Sequence, residues 1–153
     1  MHIFTLDAEL VLPRPIDEVF AFFADAGNLE VITPEFLSFM ILTPRPIEMK
    51  PGTLIDYRIS LRGLPMTWKT RISEWEPPFR FVDEQLKGPY RRWIHTHTFE
   101  SVPEGTRCRD RVEYAVPGGP GLKRLIERWV VRGDVEKIFA YRQEKMRALF
   151  GAG

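Results

Sequence analysis

Residues 53–75 read TLIDYRISLRGLPMTWKTRISEW, and their alternation decides the fold class. Ile55, Tyr57, Ile59 and Leu61 alternate with Asp56, Arg58, Ser60 and Arg62, giving one apolar face and one polar face. That period of two is the signature of a half-buried β-strand. Gly63-Leu64-Pro65 predicts a turn, after which Met66, Trp68, Thr70 and Ile72 oppose Lys69, Arg71 and Ser73. Two alternating runs so closely joined predict an antiparallel hairpin.

The pattern extends in both directions. Upstream, SFMILT (38–43) predicts a strand closed by the Pro44–Pro46 segment, and Met49-Lys50-Pro51-Gly52 a turn. Downstream, Pro77-Pro78 precedes FRFVDEQL, Gly88-Pro89 precedes RRWIHTHTFE, and Gly105 precedes TRCRDRVEYAV. Successive strands with short turns between them predict an antiparallel meander.

The period changes near both ends. After a first strand over 3–11 (IFTLDAELV), LPRPIDEVFAFF places Ile16, Val19, Phe20 and Phe23 at helical spacing. Pro15 can sit in the first turn, where its missing N–H is harmless, and Asp17 and Glu18 suit the positive end of the helix dipole. Asp25-Ala26-Gly27-Asn28 ends that helix, and NLEVITPEFL predicts a second short one, broken before Pro34. After PGGPG at 117–121, Leu122, Leu125, Ile126, Trp129 and Val130 form an apolar stripe that Ile138, Phe139, Met146 and Leu149 continue. Gly133-Asp134 is positioned to kink or split this long helix. The expected order is strand, two short helices, strand meander and long C-terminal helix, an α+β arrangement. The helix buries its apolar face most readily against the concave side of the sheet.

Composition bounds the function. The chain has 153 residues, 44% hydrophobic and 28% charged, which fits one globular domain over residues 1–153. Its 22 basic and 21 acidic residues leave a formal charge of +1, so no nucleic-acid partner is advertised. The single cysteine, Cys108, excludes an internal disulfide and a Cys-rich zinc site, and reads as a small buried hydrophobe. MHIFTLDAEL lacks the form of a signal peptide, and no apolar run reaches the roughly 20 residues of a membrane span. A cytoplasmic protein without a membrane span is expected.

Several stretches carry a family resemblance: RPIDEVFAFFADAGNLEVITPEFL, YRISLRGLPMTWKTRI, FVDEQLKGPYRRWIHTHTFE and DRVEYAVPGG. With the spacing of Asn28-Leu29, Thr33-Pro34, Gly88-Pro89-Tyr90 and Trp93-x-His95-x-His97-x-Phe99, nearly the whole chain resembles the START-like helix-grip superfamily, also called SRPBCC. The likeness is to its polyketide cyclase/dehydrase-like, bacterial ligand-binding members. It implies a seven-stranded antiparallel sheet gripping a long C-terminal helix, with an apolar cavity between them. Members of the superfamily bind lipids, hormones or polyketides, and only some are enzymes, so the fold alone does not fix the function.

The chemistry concentrates where the alternation turns polar side chains inward. Trp93, His95, His97 and Phe99 share one face of their strand. The same parity turns Phe81, Asp83 and Gln85 inward, with Cys108, Asp110, Val112 and Tyr114, and Tyr57 and Trp68 join from earlier strands. Buried carboxylates need partners, and the two imidazoles are the natural ones. The leading expectation is an aromatic-walled pocket for a small, largely apolar molecule with one polar group. Its binding residues are Tyr57, Trp68, Phe81, Asp83, Gln85, Trp93, His95, His97, Phe99, Asp110 and Tyr114.

Two other readings use the same cluster. Same-face histidines with Asp83 or Asp110 could ligate zinc, but His-x-His alone is a weak signal and His2 is remote, so no metal or cofactor is assigned. A cyclase, dehydratase or isomerase would draw its acid and base from His95, His97, Asp83 and Asp110; no nucleophile elbow or phosphate loop accompanies them. A partner-binding regulatory domain would instead use the outer surface. There Arg58, Arg62, Lys69, Arg71, Arg107, Arg109 and Arg111 are expected to form a solvated face.

Overall fold

A computed structural model of the chain describes residues 2–61, 63–116, 121 and 132–151. Its elements are β1 (Phe4–Leu12), α1 (Ile16–Ala24), α2 (Asn28–Val31), a 3-10 turn (Glu35–Leu37), β2 (Met40–Ile41), β3 (Leu54–Leu61), β4 (Leu64–Glu76), β5 (Arg80–Lys87), β6 (Arg92–Val102), β7 (Gly105–Ala115) and α3 (Arg132–Phe150). Among the described residues seven strands form one sheet in the order β1-β7-β6-β5-β4-β3-β2. Strands β2 to β7 are neighbours in chain order, and β1 pairs antiparallel with β7. The helices α1 and α2 are thus carried in the connection from β1 to β2, across the width of the sheet. None of the described helices is long and apolar enough to cross a membrane.

The hairpin at 53–75 forms with a tighter turn than the sequence predicts. Leu61 pairs with Leu64 and Ser60 with Pro65, so Leu64 and Pro65 belong to β4. Pro65 is tolerated because β4 meets β5 only from Lys69 onward, leaving no ladder bond on that side for its nitrogen to donate. The strand expected over 38–43 shrinks to two residues. Ser38 takes a left-handed conformation, and the Leu42 and Thr43 amides both turn to the Asp56 carbonyl.

Parity otherwise holds. Trp93, His95, His97 and Phe99 are buried along β6, while the intervening residues are more exposed. One irregularity matters. Ile72 opposes Asp83 and Glu74 opposes Val82, so Ser73 is an extra residue in β4. This bulge brings Trp75 opposite Phe81, where their rings lie 5.3 Å apart. Bulges also bend and twist a sheet locally, as gripping a helix requires.

The apolar faces close on this inner surface. Val19, Phe20 and Phe23 of α1 join Leu10, Phe81, Phe99 and Met146 in one core cluster. Val135 and Phe139 of α3 join Ile59, Trp68, Trp93 and Val112 in another. Each fully buried side chain of this size contributes about 1.5–3 kcal/mol. Along α3 the buried positions are Val135, Phe139, Arg142 and Met146, a helical stripe with an arginine in it. Leu149 continues the spacing of that stripe but is exposed, standing in the last turn of α3, which ends at Phe150. The stripe expected from Leu122 to Val130 lies outside the described residues, and Gly133-Asp134 stands in the first turn described for α3.

Gly105 opens β7 with φ +140°, and a Cβ there would collide with the Leu12 carbonyl. Only glycine lets the β6–β7 turn approach the end of β1 so closely.

Candidate functional site

Among the described residues an apolar cavity of about 150 Å³ lies between the sheet, α1 and α3. Apolar cavities of about that size hold a benzene-sized guest. Of the residues predicted from alternation, Tyr57, Trp68, Phe81, Asp83, Trp93, His95 and His97 line it. A larger open depression of about 520 Å³ lies on the outer sheet face, walled by Glu9, Thr96, Thr98, Arg109 and Arg111. Its charges are spent on one another, Arg109 on Glu9 at 2.8 Å and Arg111 on Asp7 at 3.4 Å, so the aromatic-walled apolar cavity is the better candidate.

Four predicted residues stand outside the lining. Gln85 turns to the β5–β6 connection, where its amide donates to the Tyr90 carbonyl at 2.6 Å and its oxygen accepts from the Tyr90 amide at 3.2 Å. Phe99 is taken up by the first core cluster, with its ring 5.3 Å from Phe20 and 5.2 Å from Phe23. Tyr114 is fully enclosed, its ring near Phe4, Tyr90 and Trp93. Asp110 supports the imidazoles without lining the cavity.

The polar cluster is built by the register of three strands. His95 stands opposite Asp83 on β5, and His97 opposite Asp110 on β7. Each imidazole nevertheless bonds the diagonal carboxylate: His95 Nε2 lies 2.8 Å from Asp110 Oδ1, and His97 Nε2 lies 2.7 Å from Asp83 Oδ2. The directly opposed pairs are looser, at 3.9 Å for His95 and Asp83 and 3.4 Å for His97 and Asp110. The two rings stack with centroids 3.6 Å apart, and Phe81 stacks on His97 at 3.9 Å. With carboxylate partners, Nε2 carries the proton in each ring, an assignment made from the partners.

Arg142 completes the cluster from α3. Its Nη2 lies 3.4 Å from His97 Nδ1 and 3.7 Å from Asp110 Oδ1, and its guanidinium stands 5.4 Å from the Phe23 ring centroid. Sequence reasoning missed this residue, although a basic position inside the apolar period of α3 was its signal. Tyr90 and Thr70 also line the cavity. Thr70 shares a 2.6 Å hydrogen bond with the Tyr57 hydroxyl. Asn28 and Thr33 brace the helical connection, by bonds to the carbonyls of Phe22 at 2.8 Å and Leu29 at 2.5 Å. Thr33 reaches the lining as well.

Electrostatics follow from this geometry. Burial, then repulsion from His97, lowers His95 from 6.5 to about 4, against the opposing pull of the two carboxylates. Burial alone would raise Asp83 and Asp110. The His97 bond and the His95 charge outweigh it for Asp83; Arg142 and both imidazoles outweigh it for Asp110, which lies well below the usual range. The cluster therefore holds ionised carboxylates beside a neutral His95 near neutrality. Burial, then the Asp83 charge, pushes the Tyr57 phenol up. The Cys108 thiol is pushed up to about 12 by burial and Asp110, consistent with an inert, buried residue.

Asp83, His95 and His97 bring ligand-type atoms within 4.8 Å of one another. The Nε2 atoms that would face a cation are bonded to carboxylates, and the Arg142 guanidinium sits against His97. The set is better matched as a closed hydrogen-bond network than as an open metal cage. Two donors stay outside that network. Trp68 Nε1 and Arg142 Nε are buried without a partner, at about 1–3 kcal/mol for an unmade neutral bond and more for a charged one.

Comparison with known proteins agrees with this fold. Residues 12–139 match the family described as polyketide cyclase / dehydrase and lipid transport. The chain belongs to that family. Solved structures of low identity share the fold of this polyketide cyclase-like chain. Protein CV1439 from Chromobacterium violaceum superposes with TM-score 0.72 at 16% identity, covering 97% of this chain and 99% of its own. Protein TTHA0849 from Thermus thermophilus gives 0.67 at 21% identity, with 95% and 98% covered. Major latex-like protein 151 from Panax ginseng gives 0.67 at 12% identity, with 97% of each chain covered. Comparison with curated proteins gives no match.

Proposed function

We propose that this polyketide cyclase-like protein binds a small, largely apolar molecule in the cavity between its sheet and C-terminal helix. One observation carries the reading. An aromatic-walled hollow lined by Tyr57, Trp68, Phe81, Tyr90 and Trp93 ends on a buried polar floor of His95, His97 and Asp83. Pockets for small molecules combine apolar walls with a few placed polar groups in this way. The floor fixes orientation and the walls supply most of the affinity. The proposal also sets the protein in the cytoplasm, with which its single buried cysteine is compatible.

Native mass spectrometry of freshly purified protein, followed by extraction, tests the reading. A bound species retained by wild type and lost from the His95→Ala/His97→Ala variant supports it. A folded protein that takes up no apolar compound from a fragment library sinks it. A surface-docking domain would keep its partner in that same variant.

A second reading has its own support. A neutral imidazole bonded to an ionised carboxylate beside a largely apolar cavity is equipped to move a proton on a bound carbonyl compound. Turnover of an identified ligand, abolished in His95→Ala with binding intact, would favour the enzyme. Unchanged turnover in both single histidine variants would dismiss it.

A further inference from the structure

We propose that the outer face of β2 to β5, with the start of β6, docks on an anionic lipid bilayer. This is the side of the sheet turned away from the cavity, and its two halves differ in charge. Over most of β1, β6 and β7 the cations are neutralised: Arg107 and Arg109 lie 3.6 Å and 2.8 Å from Glu9, and Arg111 lies 3.4 Å from Asp7. On the other half Met40 stands opposite Arg58, Leu54 opposite Arg71, and Lys69 opposite Lys87. Leu86 is the extra residue of β5 that lets Lys87 face Lys69. Lys69 lies 3.6 Å from Asp56, and Arg71 is paired with Glu84. Among the described residues Arg58, Lys87 and Arg92 have no carboxylate partner, and all three are exposed. Like charges directly opposite each other on a sheet are destabilising. Lys69 against Lys87 is therefore a cost to the isolated chain that an anionic surface would remove.

The same half carries apolar side chains in the open. Met40, Leu42, Leu54 and Leu86 are 42–53% exposed, whereas among the described residues no large apolar side chain on β1, β6 or β7 is as open. Three unpaired cations among four exposed apolar side chains call for a partner that is both anionic and apolar. An acidic phospholipid bilayer is both, and its fluid interface receives scattered side chains one by one. A second copy of the chain would set cations against cations. A folded protein partner needs its anchors gathered in one well-packed patch, and here they are dispersed between charges. The formal charge of only +1 does not oppose docking, because screening over about 8 Å makes the local face what a membrane meets. Docking here leaves the opposite side of the sheet untouched, so it is independent of what the cavity holds. Cytoplasmic leaflets are acidic, which suits the placement proposed above.

Co-sedimentation of the full chain with vesicles tests this, using phosphatidylcholine alone and an equal mixture with phosphatidylglycerol, at about 0.05 M salt. Each basic residue at an acidic surface favours partitioning about fivefold, so three should favour the acidic vesicles by on the order of 100-fold. At about 0.5 M salt most of that preference should vanish. Lys87→Gln/Arg92→Gln should cut binding to acidic vesicles by about 25-fold. Its thermal stability should match wild type, since neither residue has a partner to lose. Met40→Ser/Leu54→Ser should weaken binding to both vesicles and keep the preference between them. Arg109→Gln, on the neutralised half, should bind like wild type. No binding to acidic vesicles at low salt overturns the proposal, as does equal binding to both kinds. Acidic binding undiminished in Lys87→Gln/Arg92→Gln overturns its placement on this face. A dimer broken by Met40→Ser/Leu54→Ser, with vesicles left unbound, would overturn it in favour of a second copy.

Discussion

His95 and His97 do not bond the carboxylates that face them. Each reaches across the ladder to the other strand's aspartate, which leaves the rings free to stack and ties β5, β6 and β7 together through side chains. Alternation was enough to turn these four residues inward, because parity is a property of one strand at a time. It could not give the pairing, which depends on register between strands, nor the contribution of Arg142 from an element 45 residues beyond His97. A pH prediction belongs here. His95 sits at about 4 when folded against 6.5 ordinarily, so between those values the unfolded chain binds the extra proton. Stability should therefore fall as pH drops from 6.5 towards 4, by up to about 1.4 kcal/mol per unit. His95→Gln should flatten that segment in urea titrations at stepped pH. Asp83 and Asp110 are shifted down, so the stability they add is present above 3.8 and lost only below it, a separate acid limb that His95→Gln retains. Arg142→Met leaves Asp110 without its nearby cation and should lose about 3 kcal/mol in urea unfolding, with Arg142→Lys losing distinctly less.

At the scale of elements, helix α1 and strands β3 to β7 were legible because their periods are long, even though Ser73 breaks step within β4. Strand β2 was not, since Ser38 and the paired amides of Leu42 and Thr43 end it within two residues. The hairpin turn was drawn too long because Pro65 reads as punctuation until the reach of β5 is known. Gly105 was correctly read as a boundary, but its particular demand, a Cβ clash with the Leu12 carbonyl, requires β1 to lie beside β7. Gly105→Ala should accordingly destabilise by more than about 2 kcal/mol, combining a forced positive φ with a backbone collision. Thermal unfolding of the variant checks this. A loss within about 0.5 kcal/mol, the range of ordinary surface changes, would refute the close approach.

For the whole molecule, the order of elements sufficed to indicate a sheet closing on a helix, and the family match over 12–139 agrees with it. The size of the hollow was beyond the sequence. Whether Phe81, Trp93 and Phe99 fill a cavity or wall it depends on the distance between layers; all three are buried in the core clusters, and Phe81 and Trp93 also line the hollow whereas Phe99 does not. A guest in this cavity stabilises the fold by mass action. A probe at about 100 times its Kd should add about 2.7 kcal/mol to the unfolding free energy, visible as a raised Tm that climbs with concentration. The outer face should matter little by comparison. Its cross-strand ion pairs are exposed, so raising salt from about 0.05 to about 0.5 M should change stability by no more than about 1 kcal/mol.

The extra residue in β4 has a consequence for chain length. Deleting a residue from a paired strand normally inverts every side chain beyond the cut. Removing Ser73 does the opposite on paper: Ile72, Glu74 and Trp75 would then follow one another opposite Asp83, Val82 and Phe81, in unbroken alternation. The wall would keep its tryptophan, and the sheet would lose only a bend. This point of the chain should therefore tolerate a one-residue deletion that Thr96, between the two histidines, cannot.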